Sequence, residues 1–142
     1  MSNYVPGKYI TVFADASFCH KTRSTGYACW IKHGSNGKTE RFSGITKKLS
    51  NSTEAEYHAL VMALSYIDNF IDTENKILSI QSDCIPALDK LRLSFTNYLT
   101  EDYELVTFKH VKGHQNSINA RSAVNEWCDR VAKEKMAEIR GY

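Results

Sequence analysis

Apolar and polar positions alternate along the first third of the chain and then change period, which divides the sequence into two kinds of structure. Tyr9–Phe18 (YITVFADASF) places Tyr9, Thr11, Phe13, Asp15 and Ser17 on one face and Ile10, Val12, Ala14, Ala16 and Phe18 on the other. Both faces are largely apolar, so the spacing predicts a central strand covered on both sides. His20–Thr25 is polar and ends at Gly26, the composition of a hairpin turn. Gly26–His33 and Lys38–Ile45 read as two more strands around the turn Gly34-Ser35-Asn36-Gly37. From Thr53 to about Phe70 the spacing becomes helical, with Leu60, Ala63, Leu64 and Ile67 on one stripe and Asn51, Ser52 or Thr53 as the N-cap. Asp72–Asn75 closes that helix, and Lys76–Ser82 is a fourth strand. Asp83 opens a short helix through CIPALDKLRL, with Pro86 tolerated in its first turn. Leu93–Asp102 fits neither period. Tyr103–Val111 is a fifth strand, Lys112–Arg121 a loop, and Ser122–Ile139 a final helix with Val124, Trp127, Cys128 and Val131 along its stripe.

Three consecutive strands followed by alternating helix and strand predict an α/β domain, a mixed sheet with helices on both faces. Strand four returns through a helix and should therefore run parallel to strand one. The expected order is 3-2-1-4-5, within one domain spanning residues 1–142. Composition leaves that picture unchanged: 42% hydrophobic and 24% charged residues are ordinary for a soluble globular chain. A net charge of +2 permits an anionic partner without demanding one. No run approaches the ~18 apolar residues of a membrane helix, and Met1–Lys8 is too short and polar for a signal peptide. Four cysteines without CxxC spacing read as reduced thiols. A cytoplasmic monomer without organic cofactor is the expectation.

Asp15 disturbs this bland reading. Aspartate is disfavoured in strands, and a buried carboxylate is costly unless it is paired or bound to metal. Glu56 lies within about 40° of Leu60, Ala63 and Ile67 on the helix that faces the sheet, although Thr53-Glu-Ala-Glu56 also reads as a capping box. Glu54 points elsewhere, as a solvated first-turn acid. Asp83 sits at the carboxyl end of a parallel strand beside the central one, where ligands of open α/β sheets gather, and equally suits an N-cap. Asp129 lies on the shoulder of the last helix's stripe, where a surface acid is the ordinary reading. His114 follows Lys-Gly in a loop, where an exposed histidine usually has no role. His20, His33, His58 and His110 read as structural or solvated. Taken together, four carboxylates from two strands and two helices can converge at one end of the central strand, and such a cluster cannot stay jointly ionised without cations. All-oxygen ligation favours Mg²⁺ or Mn²⁺ over zinc, and two such ions roughly 3.5–4 Å apart suit phosphoryl transfer.

FADAS with Asp15, STEAEYHAL with Glu56, IQSD with Asp83, VKGH with His114 and NEWCD with Asp129 follow one another in the order and on the elements of a known family. From about Tyr9 to Met136 the chain resembles the type 1 ribonuclease H catalytic domain. The resemblance selects Glu56 over Glu54, because the family's motif places the acid before a run such as Tyr57-His58-Ala59-Leu60. It implies hydrolysis of the RNA strand of an RNA/DNA hybrid with two Mg²⁺ ions, for which Mn²⁺ would substitute, leaving a 5′-phosphate and a 3′-hydroxyl. In that reading Asp15 bridges both ions, Glu56 and Asp83 hold mainly one, and Asp129 holds the other. His114 assists proton transfer or product release, a role suited to a side chain that titrates near neutrality. Asn51, Ser52 and Thr53 match the polar loop that meets the hybrid's minor groove, with Lys112 and Lys48 as phosphate contacts.

The chain also departs from the family. Ala16 stands where glycine is common after the first aspartate. Leu93–Leu105 contains no lysine or arginine, so the basic helical protrusion of several bacterial members is absent and hybrid binding must be weaker or supplied elsewhere. Phe95, Tyr98 and Tyr103 are open to two readings, base stacking or packing. Ser17 stands where a proofreading exonuclease would carry a glutamate. The alternatives are an integrase- or resolvase-type nuclease, a non-catalytic nucleic-acid-binding module on the same architecture, or a purely structural α/β domain.

Overall fold

The alternating stretch folds into an antiparallel meander in the computed structural model, which describes residues 7–47, 49–95, 103–111, 127, 130–135 and 137–138. Strand β1 (Tyr9–Cys19) pairs antiparallel with β2 (Ser24–His33), which pairs antiparallel with β3 (Lys38–Thr46). The turn between β2 and β3 closes with the Gly37 amide donating to the Gly34 carbonyl at 3.1 Å, both glycines having positive φ. Helix α1 (Ser52–Phe70) then carries the chain across to β4 (Lys76–Ser82), which lies parallel to β1. Helix α2 (Ile85–Phe95) leads on towards β5 (Tyr103–His110), parallel to β4. The sheet order is β3-β2-β1-β4-β5, which puts β1 in the middle.

The two faces of β1 serve two different cores. Ile10, Val12 and Ala14 pack with Leu78 and Ile80 of β4 against the buried stripe of α1, Ala59, Leu60, Ala63, Leu64 and Ile67, and against Ala87, Leu88 and Leu91 of α2. Phe13 points the other way, with Ala28 and Val111, and is covered by Trp127 and Val131. Those two belong to the helical residues at Trp127, 130–135 and 137–138, inside the predicted final helix. Burial on both faces explains why β1 reads as continuously apolar.

Details differ from the spacing where non-local contacts intervene. Strand β2 begins at Ser24 rather than Gly26, because Ser24 and Thr25 pair with Cys19 and Phe18 and are buried. Helix α2 begins at Ile85 rather than Asp83, and the Leu88 amide donates to the Cys84 carbonyl at 3.2 Å. Tyr103 is buried in the main core, which makes it packing rather than a stacking platform. Tyr98 and the side chain of Phe95 lie outside the described residues. Cys19 is buried, and so is the Cys29 thiol, which burial pushes up and which donates to the Ala59 carbonyl at 3.3 Å. Cys84 is free and half-buried, and Cys128 lies outside the described residues. No helix among the described residues is long and apolar enough to cross a membrane.

Candidate metal centre

Ladder geometry brings the first two acids together. Strands β1 and β4 are paired from Tyr9↔Ile77 to Phe13↔Gln81 and then part. Continuing that register two residues further on each strand sets Asp15 level with Asp83 at the point where the sheet opens. Asp15 is 3% exposed, and its Oδ1 accepts from the Ala16 amide at 2.9 Å, which fixes the carboxylate against its own strand. Strand β4 ends at Ser82, which is fully buried and anchored by the Val111 amide donating to its carbonyl at 2.9 Å. The Ser82 hydroxyl accepts from the Cys84 amide at 3.0 Å, so the turn that presents Asp83 is held from both sides.

Glu56 comes from α1, and the way that helix starts decides its role. Asn51 is the N-cap, with extended backbone and with its Oδ1 accepting from the Glu54 amide at 2.9 Å. Glu54 therefore occupies the third helical position, the one a capping glutamate takes, and Glu56 lies beyond it. The capping box proposed for Thr53 and Glu56 does not form. Glu54 is also taken by a distant partner: its carboxylate pairs with Lys90 of α2, whose ammonium lies 4.5 Å from the centre of the Tyr57 ring. Glu56, on the side of Ala59 and Leu60, is carried to the sheet edge instead.

Asp15, Glu56 and Asp83 each place a carboxylate oxygen within 4.8 Å of the others. The Glu56 Oε2 is wholly buried without a hydrogen-bond partner. Burial first, then the Asp15 carboxylate, and less strongly Asp83 and Cys84, push the Glu56 carboxyl far above the usual carboxylate range. Without a cation the glutamate is held neutral. An orphaned oxygen facing two more carboxylates is a donor set that fits a hard divalent cation, which accepts all-oxygen ligation and supplies the missing counter-charge. The three acids can hold a metal ion.

The fold of this chain is shared by solved structures. These include a ribonuclease H1 from the halophilic archaeon Halobacterium salinarum, with TM-score 0.65 and 18% identity over 92% of this chain and 98% of that one. An N-terminal ribonuclease H domain from Mycobacterium tuberculosis, solved as a fusion with maltose-binding protein, has TM-score 0.64 and 16% identity over 92% and 94%. LC11-RNase H1, isolated from compost by a metagenomic approach and solved in complex with an RNA/DNA hybrid, has TM-score 0.67 and 16% identity over 92% and 98%. The fold is that of ribonuclease H. No family model and no curated protein matches the chain, so this likeness is one of architecture.

Within the ribonuclease H fold, the remaining expected residues fall into two groups. Asn51 and Ser52 are exposed and Thr53 is half-buried, beside the acids at the start of α1. Asp129, His114, Lys112 and Lys48 lie outside the described residues. Of the other histidines, His33 lies 3.5 Å from Glu40, and His58 packs edge-on against Tyr27, its pKa lowered by burial. Cys84 escapes a reading of the sequence. Its thiol hydrogen-bonds Thr53 and is close enough to Asp83 and Asp15 that, after burial, they raise its pKa. No local pattern marks it, because its neighbours come from α1 and β1.

Proposed function

We propose that this chain is an endoribonuclease that hydrolyses the RNA strand of RNA/DNA hybrids. The observation that carries the reading is the meeting of the Asp15, Glu56 and Asp83 carboxylates within 4.8 Å at the open end of a ribonuclease H sheet. It is supported by the hybrid-bound state of one similar structure. Asp15, Glu56 and Asp83, with Asp129 as fourth acid, would hold two Mg²⁺ or Mn²⁺ ions, which when bound supply an activated water and stabilise the leaving oxygen.

The chain's own residues do the rest. Asp15 is held in one orientation by the Ala16 amide, so the central ligand needs no reordering on binding. Glu56, held neutral by burial and by Asp15, would release its proton in order to serve as a ligand, since a bound cation would supply the missing counter-charge. Pairing with Lys90 keeps Glu54 out of the site. Asn51 uses its Oδ1 as the cap, which leaves its amide N–H groups free to donate to a substrate. With Ser52 and Thr53 it would face the 2′-hydroxyls that distinguish RNA from DNA. Lys112 would take a phosphate, and His114 would move a proton near the leaving group. The products carry a 5′-phosphate and a 3′-hydroxyl.

The test is cleavage of labelled RNA/DNA hybrid, double-stranded RNA and double-stranded DNA, each with Mg²⁺ and with EDTA, by the wild-type chain and by Asp15→Asn. The expected result is cutting of the hybrid's RNA strand in Mg²⁺ only, lost in the variant. A wild-type chain that binds hybrid without cutting it would instead establish a binding module.

A further inference from the structure

The segment that carries a basic protrusion in several bacterial ribonucleases H has no lysine or arginine here, yet the chain's positive charge is not evenly spread. Residues 16–53 hold seven of the 18 lysines and arginines beside a single acid, Glu40, whereas the rest of the chain has 11 against 15 acids. Within the meander the pattern sharpens towards the end where Asp15 lies. Lys38, at the far turn, is paired with Glu40; elsewhere Lys8 is paired with Glu104 and Lys90 with Glu54. Lys21, Arg23 and Lys47 are exposed and have no carboxylate partner among the described residues. Lys47 follows Thr46, which pairs with Thr25, so it stands beside the β1–β2 turn that carries the other two.

Arg23 is the organised member. Its φ of 57° is left-handed, which glycine adopts freely and an L side chain does not. Three hydrogen bonds hold it there: its amide donates to the Cys19 carbonyl at 2.8 Å, the Leu49 amide donates to its carbonyl at 3.2 Å, and its Nε donates to the Leu49 carbonyl at 3.0 Å. Engaging Nε fixes the guanidinium plane and leaves the four Nη N–H groups of this exposed side chain without a partner among the described residues, a fork that fits a phosphate bidentately. Cys19 lies four residues beyond Asp15 on the same strand, about 13 Å at ~3.3 Å per residue. That is roughly four base steps along a duplex at ~3.4 Å each.

We propose that the β1–β2 turn and the adjoining start of the segment after β3 form a phosphate-binding ridge, in which Arg23, with Lys21 and Lys47, grips the backbone of a nucleic-acid duplex about four base steps from the carboxylates. The position of the cut relative to the ridge rests on the hydrolase reading; the binding itself does not. The ridge takes the place of the basic protrusion that this chain lacks.

Binding is measured by fluorescence anisotropy with RNA/DNA hybrid and with double-stranded DNA, in EDTA, between about 50 and 200 mM salt, where phosphate neutralisation dominates the salt dependence. Relative to the wild-type chain, Arg23→Gln/Lys47→Gln should lose roughly tenfold in affinity at low salt and flatten the slope of log K against log salt by nearly two, about 0.9 for each phosphate no longer neutralised. Lys32→Gln/Lys38→Gln, which removes the same charge at the opposite end of the meander, should leave the slope unchanged. Arg23→Gly removes the side chain with its bond to the Leu49 carbonyl but suits the left-handed backbone better, so the two effects offset and it should flatten the slope by about one with little change in melting temperature. An unchanged slope in the Arg23 variants, or an equal loss in the control pair, overturns the ridge. A wild-type chain that binds no duplex overturns the ridge and the hydrolase reading together. Ridge-dependent binding without hybrid cleavage overturns the hydrolase reading alone.

Discussion

Replacing Glu56 by glutamine should make the metal-free protein more stable at neutral pH. The Glu56 Oε2 is buried without a partner, and burial together with Asp15 raises its carboxyl far above its ordinary value, so the folded chain keeps a proton at pH 7 that the unfolded chain releases. Stability changes with pH as the unfolded state's bound protons minus the folded state's, and here the folded state holds more. This contribution is therefore whole below the unfolded value of roughly 4.3, and it is lost steadily as pH rises from there towards the folded value. The loss is about 1.4 kcal/mol per pH unit, so at pH 7 it reaches about 3–4 kcal/mol. Glutamine keeps the shape and never ionises in either state. The variant should match the wild type near pH 4 and exceed it by about 3 kcal/mol at pH 7, roughly 10 °C in melting temperature for a chain of this size. The assay is a set of thermal melts in EDTA from pH 4 to pH 8. A gap that does not widen with pH, or a less stable variant at pH 8, would refute the burial argument. Repeating the melts in Mg²⁺ should raise the wild type, by about 2.7 kcal/mol at a hundredfold excess over Kd, and leave Glu56→Gln nearly unmoved.

Two further outcomes concern residues beside the site. Glu54→Gln breaks the pair with Lys90, whose partners are each more than a third exposed, so stability should fall by no more than ~1 kcal/mol and hybrid cleavage should stay within about twofold of wild type; a fall in cleavage comparable to that of Glu56→Gln would mean that Glu54 serves the metal. Gly44→Ala should lower the melting temperature by several degrees, a cost of about 1–3 kcal/mol, because its Cβ would collide with the Tyr27 hydroxyl and ring on the neighbouring strand; an unchanged melting curve would mean that Tyr27 can turn away from its place against His58.

Much of this molecule is local in origin, and that part is legible without coordinates. Two-residue alternation along β1 with both faces apolar marks a central strand, and the three-to-four spacing of Leu60, Ala63, Leu64 and Ile67 marks the helix that covers it. The same arithmetic puts Glu56 on the sheet-facing side and leaves Asp15 as a charge in a buried strand. A meander followed by helical crossovers leaves few orders for the sheet, and β3-β2-β1-β4-β5 is the one observed. Spacing alone leaves Thr53, Glu54 and Glu56 undecided between cap and ligand, and resemblance is needed to choose among the acids.

What spacing leaves open is settled by partners distant in sequence. Asn51 takes the cap through its own extended backbone, and Lys90, 36 residues on, takes Glu54, so Glu56 is released to the sheet. Asp83 proves to precede α2 rather than cap it, because Ser82 is tied to Val111 and the helix starts after Cys84. Arg23 reads as one more turn residue until the Leu49 carbonyl fixes its side chain. Periodicity records which way each side chain faces, because facing is set by the backbone within a few residues. It cannot record which charges meet, because that depends on where two strands part and on which helix lies alongside. By itself, then, the sequence determined the strand, the helix and the misplaced aspartate; only the tertiary structure decided which carboxylates Asp15 would face.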